Sequence, residues 1–418
     1  MRRAVASRPL VVIIFTLAAM WALVGGLLQP VMPLYVASIG GQAADVGIAS
    51  AMTALAMLVS EPLWGWAADR FGATVPLTLS RLASAAIFGG FMLRADLAWV
   101  FLLQFLRGVA EVALAPIGRA LLAVSVPMRQ RATAMGLYYT VNSLARGGTG
   151  FIGGGVVDGL GYPALFASCA GISGVSALLA ALGLRRAPIS LKGDVAPAAP
   201  EPSMGEQDRL LEPSFVRYFL LISLVTVLGH TATAGWRTFL PLYAATRLGM
   251  SATEIGIMFT IWGIVVTLFT LPGGRLADAF GRKPILLLGL VLITATVLLT
   301  ASDRMQGTLA IAGLFVLVGL GQAAFNPART ALLSDIAPLR RQGLVIGLYG
   351  SAEDMGLLIG PLVAGFLWEG SGPAIAFAAL GASGALALMV AVVAIDEPAW
   401  QRLRSAVVSP RAADIAGK

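Results

Sequence analysis

The sequence predicts an all-α membrane protein with twelve transmembrane helices in two pseudo-symmetric six-helix bundles, and three observations carry that prediction. Hydrophobic residues fill 58% of the 418 positions and charged residues 12%, about half the roughly 25% charge of a soluble domain; mean hydropathy is +0.85. Apolar runs of about 20 residues, the length a helix needs to cross a bilayer, occur twelve times. Short patterns of the first half return in the second at a nearly constant distance, which marks a duplicated unit.

The runs are 10–39, 46–68, 75–93, 97–124, 132–157, 162–184, 215–246, 255–275, 284–302, 308–333, 343–368 and 373–395. In lipid a run this long satisfies its backbone only as a helix, and the alternation of barrel strands is absent. The first follows Arg2, Arg3 and Arg8 and has the outline of a signal peptide. It is too long for the apolar part of one and shows no cleavage-like site, so it is read as the first span. Its late prolines, Pro30 and Pro33, loosen the hydrogen-bond ladder and bend the helix. Between the sixth and seventh spans, residues 191–213 are polar and carry Pro197, Pro200, Pro202 and Pro213, the composition of a flexible linker. The expected units are therefore 1–190, the linker 191–213, and 214–418 with its tail.

The duplication is legible residue by residue. Pro33-Leu34-Tyr35 recurs as Pro241-Leu242-Tyr243, 208 positions on, and Gly47-Ile48 as Gly256-Ile257, 209 on. Pro116 and Pro127 recur as Pro327 and Pro338, and Gly136-Leu137-Tyr138 as Gly347-Leu348-Tyr349, all 211 on.

A formal charge of +8 raises the question of nucleic acid, but its placement answers it. Basic residues crowd the N-terminus, Arg129/Arg131, Arg185/Arg186, Arg282/Lys283, Arg340/Arg341 and the tail, while the opposite loops carry Asp45, Asp96, Asp158, Asp303 and Glu369. This asymmetry places both termini in the cytoplasm; the expected membrane is the inner membrane of a prokaryote. A single cysteine, Cys169, and a single histidine leave no intramolecular disulfide and no clustered metal site. No cofactor is expected. Gly148-x-Gly150-x-x-Gly153 has the letters of a dinucleotide fingerprint, but no strand precedes it and it lies mid-membrane. No Walker sequence occurs, so ATP is not the energy source.

Gly274-Arg275-Leu276-Ala277-Asp278-Ala279-Phe280-Gly281-Arg282-Lys283 and its degenerate copy Gly65-Trp66-Ala67-Ala68-Asp69-Arg70-Phe71-Gly72 resemble the Gly-x-Leu-Ala-Asp-Arg-x-Gly-Arg-Lys loop found in each half of a major facilitator superfamily transporter. Pro30-Val31-Met32-Pro33 is similar to the Pro-Val-x-Pro signature of that superfamily's twelve-helix drug:proton antiporters. Two departures stand out. Gln104-Phe105-Leu106-Arg107-Gly108 exchanges the glutamine and arginine of the family's Arg-Phe-Leu-Gln-Gly. The fifth span, Arg146 to Gly155, has Phe151 where the antiporter signature has proline, and the eleventh span carries the fuller match, Gly356 to Gly365 with Pro361.

The resemblance implies a secondary transporter, read here as a proton-coupled exporter of small amphipathic compounds that works as a monomer by alternating access. Its partners are a small-molecule substrate, protons and the lipid bilayer, with no nucleic acid. Two rivals stand beside it. One is a proton-coupled importer or organic-anion transporter, which Arg107, Arg146 and Arg237 would suit. The other is a non-transporting sensor or lipid-handling protein on the same fold.

Ionisable residues deep in a span are costly and mark functional positions. The sequence singles out Glu61, Arg107, Glu111, Arg119, Arg146, His230, Arg237, Arg329, Glu353 and Asp354. Glu61, Arg119 and Arg329 sit nearer the cytoplasmic ends, where snorkelling accounts for them. For proton coupling the expected carrier is Glu111, partnered by Arg146, with Arg107 as rival partner and Glu353 or Asp354 as rival carrier. Burial favours the neutral carboxyl and a nearby guanidinium the charged one, so a rocking motion can switch between them. For the substrate cavity the candidates are Gln29, Tyr138, Asn142, His230, Trp236, Arg237, Gln322, Asn326 and Tyr349. The pairs Gln29/Arg237, Asn142/Glu353 and Glu111/Gln322 match across the duplication, which points to one site shared by both bundles. For a conformational latch the resemblance implies Gly65, Asp69 and Gly72 in the first half. In the second it implies Gly274, Asp278, Gly281, Arg282 and Asp335.

Overall fold

The computed structural model describes residues 8–126, 130–184, 213–302, 304, 307–337 and 342–395. Linker residues 191–212, Arg2, Arg3, the basic residues of the tail, Arg129, Arg185/Arg186, Asp303 and Arg340/Arg341 lie outside the described residues. The first half forms α1 (Arg8–Leu28), α2 (Met32–Ser38), α3 (Ala43–Phe71), α4 (Thr74–Gly90), α5 (Leu97–Val112), α6 (Leu114–Ser125), α7 (Arg131–Gly147) and α8 (Gly150–Gly183). The second forms α9 (Pro213–Leu248), α10 (Ala252–Phe280), α11 (Arg282–Ala301), α12 (Thr308–Ile336), α13 (Gln342–Ser371) and α14 (Pro373–Ala394). Among the described residues, nine helical stretches are long and apolar enough to cross a membrane.

Local chemistry sets the breaks. Pro30 has no N–H to donate, so α1 stops at Leu28 and the chain closes a tight turn, Val31 N–H to Leu28 O at 3.0 Å, before α2. In α8 the chain turns at Gly161, whose φ of 82° and ψ of 172° are not helical, and Pro163 follows within the next turn. Equivalent helices start alike: Gln42 with Asp45 caps α3, and Ser251 with Glu254 caps α10, each a reciprocal box that satisfies two orphan amides. The signature loops turn on Gly72 (φ 77°) and Gly281 (φ 97°), backbone positions that a Cβ would strain.

Packing follows the duplication. In the first half α1 lies on α7 and α8, α3 on α5, and α4 on α8; in the second α9 lies on α13, α10 on α12, and α11 on α14. The halves meet where α3 runs along α13 and where α7 and α8 run along α10. Small residues make these joints backbone-to-backbone. A methyl added at Gly150 would lie 2.7 Å from the Gly256 carbonyl oxygen, and one at Gly365 2.8 Å from that of Ala43. Leu79, Leu82, Val175, Leu178, Leu268 and Leu271 are exposed on the outside, an apolar surface that suits lipid and not water.

Candidate functional site

Where the two halves meet, a cavity of about 220 Å³ is walled by α1, α2, α3, α5 and α7 of the first half and by α9 and α13 of the second. Its charged wall comes from four residues, Arg107, Glu111, Arg146 and Arg237. Arg107 and Glu111 stand one turn apart on α5. Arg107 Nη1 lies 3.8 Å from Glu111 Oε2, and Nη2 donates to Thr53 Oγ1 at 3.3 Å. Glu111 is buried at 5% exposure. Behind it Arg81 of α4, also buried, donates to the carbonyl oxygens of Ala110 (3.0 Å) and Glu111 (3.2 Å). Arg146, at the end of α7, lays its guanidinium over Trp21 at 5.1 Å. Arg237 of α9 lies over Trp262 at 5.1 Å, and Trp262 Nε1 donates to Gln322 Oε1 at 3.0 Å.

Of the expected site residues, Gln29, Arg107, Glu111, Arg146 and Arg237 line this cavity. The expected partner of Glu111 was Arg146. Among the described residues its ion pair within 4.0 Å is with the rival partner Arg107, one helical turn away, while Arg146, lying over an indole face, keeps Glu111 as a charged neighbour. The six-residue shared site is also corrected. Gln29, Glu111 and Arg237 line the cavity, whereas Gln322 is off the wall and bonds Trp262, which lies against Arg237. Asn142 donates to Tyr138 O on its own helix at 2.8 Å, and Glu353 pairs elsewhere.

That pairing forms a second polar cluster. Arg329, 5% exposed, donates from Nη1 to Glu353 Oε1 (2.5 Å) and Tyr349 Oη (2.9 Å), and from Nε to Asn326 Oδ1 (3.2 Å). Tyr349 Oη lies 2.5 Å from Thr226 Oγ1, and His230 Nδ1 donates to Thr226 O at 3.1 Å. Arg329 does not snorkel; a carboxylate and two neutral oxygens hold it inside. Asp354, adjacent to Glu353, has no ion pair within 4.0 Å among the described residues; its charged neighbours are Glu61, Glu353 and Arg119. Glu61 and Arg119 pair at 2.8 Å across α3 and α6. Trp236 is fully buried, donating to Thr300 Oγ1 at 2.9 Å, and Tyr138 packs against Phe15. His230, Trp236, Tyr138, Asn142, Gln322, Asn326, Tyr349, Glu353 and Asp354 do not line this 220 Å³ cavity. Amphipathic side chains in a membrane protein satisfy their polar ends inside a bundle as readily as in a cavity. Arg81 was missed by sequence reasoning, although an arginine amid an apolar run is itself the signal.

At the signature loops Arg282 bridges Asp278 and Asp335; the Asp278 contact is an i,i+4 pair, and Arg282 Nε lies 3.5 Å from Asp335 Oδ2. In the first half Asp69 is exposed and has no ion pair within 4.0 Å among the described residues. Ala73 stands where Arg282 stands in the second, and the Val124 side chain lies outside the described ones. Arg70 lies instead over Trp66 and Phe71, at 5.5 and 5.7 Å.

A helical membrane fold with a charged cavity between duplicated halves defines a transporter. The chain belongs to the Major Facilitator Superfamily, whose family model matches it twice, over residues 10–251 and 222–412. Members of that family are transporters of small molecules and not enzymes. The chain is similar to multidrug resistance protein 2 of Bacillus subtilis, 27% identical over 354 residues, which cover 82% of this chain and 85% of that protein. It is 24% identical to a multidrug resistance efflux pump PmrA homologue of Lactococcus lactis over 350 residues, 81% and 82% of the two chains. To the quinolone resistance protein NorA of Staphylococcus aureus it is 27% identical over 184 residues, 44% and 45% of the two. In fold it is similar to the nucleoside transporter NupG, with a TM-score of 0.75 at 14% identity, covering 93% of this chain and all of that one.

Proposed function

We propose that this chain is a secondary active exporter of small amphipathic compounds, driven by inward proton flow. In this reading twelve crossings form two six-helix bundles, 1–190 and 214–418, joined by a cytoplasmic linker at 191–213. Both termini lie on the cytoplasmic side of a prokaryotic inner membrane, and the monomer is the working unit. The fourteen helices divide into those twelve crossings when α1 with α2, α5 with α6, and α7 with α8 as far as Gly161 each count as one. The remainder of α8 is the sixth crossing.

The observation that carries the proposal is a buried carboxylate, Glu111, in a cavity walled by both halves. The halves approach backbone to backbone at the Gly150/Gly256 and Gly365/Ala43 joints, and in this reading that end is the closed one. In this conformation the cavity takes its substrate from the signature-loop side. Rocking of one bundle over the other then opens the opposite face, the substrate leaves, and a proton neutralises Glu111 and frees Arg107. Return of the bundles delivers that proton to the cytoplasm and re-forms the Arg107–Glu111 pair. Relatives named for multidrug resistance and quinolone resistance support the choice of cargo and direction. The test is uptake of norfloxacin, a quinolone, into everted membrane vesicles whose interior is acidified. Accumulation that collapses with the pH gradient is expected; accumulation driven only by an alkaline interior would make the protein an importer.

A further inference from the structure

The cavity wall carries three arginines and one glutamate, with Arg81 as a fourth guanidinium directly behind Glu111. The Glu111 carboxylate lies 3.8 Å from Arg107 and is a charged neighbour of Arg146 as well, so one negative charge stands against three guanidinium groups. Among the described residues neither Arg146 nor Arg237 has a carboxylate within 4.0 Å. A guanidinium offers five N–H donors in a fixed fork, and these forks are underused: the Nε atoms of Arg107 and Arg237 are buried without a hydrogen-bond partner. Stacking on Trp21 and Trp262 holds the planes of Arg146 and Arg237 in place, an orientation that favours planar, bidentate acceptors. Leu28, Met32, Met57 and Leu357 supply the apolar part of the wall. Positive charges gathered in a low-dielectric space repel one another strongly unless an anion joins them.

We infer that the cavity is an anion-recognition site, and that the cargo is an amphipathic compound whose carboxylate, or an equivalent acidic group, seats between Arg107 and Arg146 of the first half and Arg237 of the second. The inference rests on the reading above only in taking this cavity as the substrate site; neither direction nor driving ion enters it. Because the arginines belong to both halves, the bound anion is also the electrostatic link between them. Arg146 has Glu111 and then Arg107 as charged neighbours and is itself the charged neighbour of Arg237; with one carboxylate against three guanidinium groups, an empty cavity resists drawing the halves together and an anion removes that resistance. Cations of the same shape are repelled.

The test is calorimetric binding to the purified full chain in lipid nanodiscs, using three probes that differ only at one end: 4-phenylbutyrate, 4-phenylbutanamide and 4-phenylbutylammonium. The carboxylate is expected to bind at least about tenfold more tightly than the amide, and the ammonium not to bind. Arg237→Gln and Arg146→Gln should each remove that preference, and Arg237→Lys, which keeps the charge and is the variant less exposed to misfolding, should keep part of it. Equal binding of carboxylate and amide, tighter binding of the ammonium, or no carboxylate binding into the millimolar range overturns the inference. If the carboxylate binds selectively but is not accumulated by acid-interior vesicles, the site stands and the export reading falls. If norfloxacin is exported while the three probes bind alike, the export reading stands and the anion site falls.

Discussion

The carboxylates of Asp158 and Glu369, 211 residues apart, each cross the joint between the halves to accept a backbone N–H at the start of the facing helix. Asp158 accepts from Ala252 N (3.2 Å), Thr253 N (2.7 Å) and Thr253 Oγ1 (2.6 Å) at the start of α10. Glu369 accepts from Ala44 N at 3.2 Å at the start of α3. A carboxylate is favoured there by the orphan amides and the helix dipole. Both contacts hold the end of the molecule that is closed here. Asp158→Asn should weaken that closure by about 1 kcal/mol, roughly a fivefold shift in population, solvent exposure keeping the figure low. Glu369→Gln should do less, having one bond to lose. Spin-label distances between Leu160 and Arg247 should lengthen in the first variant; an unchanged distribution would show that the caps do not bias the joint.

Glu111→Gln should lose proton-driven accumulation by about a hundredfold or more, the scale on which a positioned proton carrier contributes. Substrate binding should remain measurable and become independent of pH. Uphill transport by this variant would make the Arg107–Glu111 pair purely structural, and the test then passes to Asp354→Asn, because Asp354 has no ion pair of its own among the described residues.

The two signature loops should respond unequally. Asp278→Asn removes one member of the Asp278–Arg282–Asp335 cluster, whereas Asp69→Asn alters an exposed side chain with no ion pair among the described residues. Transport rates in vesicles should fall several-fold more for the first than for the second, since a charge cluster of this kind biases one conformation. Equal losses would remove the asymmetry.

Arg329→Leu should destabilise the second half by about 3 kcal/mol, leaving the Glu353 carboxylate and the Tyr349 hydroxyl without their shared donor. Glu353→Gln, whose side chain is 35% exposed, should cost less. Denaturation of the detergent-solubilised protein orders the two; the reverse order would mean that Arg329 is held by Asn326 and Tyr349 alone.

Helix positions were legible because backbone satisfaction in lipid leaves one solution for a long apolar run, and the duplication was legible because turns and caps constrain residue type. Gln42 and Ser251, or Gly72 and Gly281, keep their roles in both halves for that reason. Partnerships were not legible. The distance of Arg329 from the end of its run said nothing about the glutamate facing it from α13. Nor did the matched positions of Glu111 and Gln322 reveal that Gln322 accepts from Trp262 and stays off the cavity wall. Side-chain pairing is decided by which neighbour fills the space, and a one-dimensional repeat does not carry that.

The cavity wall is lopsided: five helices of the first half supply it and only α9 and α13 of the second, while the second half spends its polar residues on the Arg329 cluster. On the anion-site reading the first copy supplies most of the groups that meet the cargo, and the second supplies Arg237 with its neighbours on α9 and α13. Selection for altered cargo in a population carrying this gene would accordingly collect most of its substitutions on α1, α2, α3, α5 and at Arg146 of α7. The second copy would stay nearly silent except at Arg237.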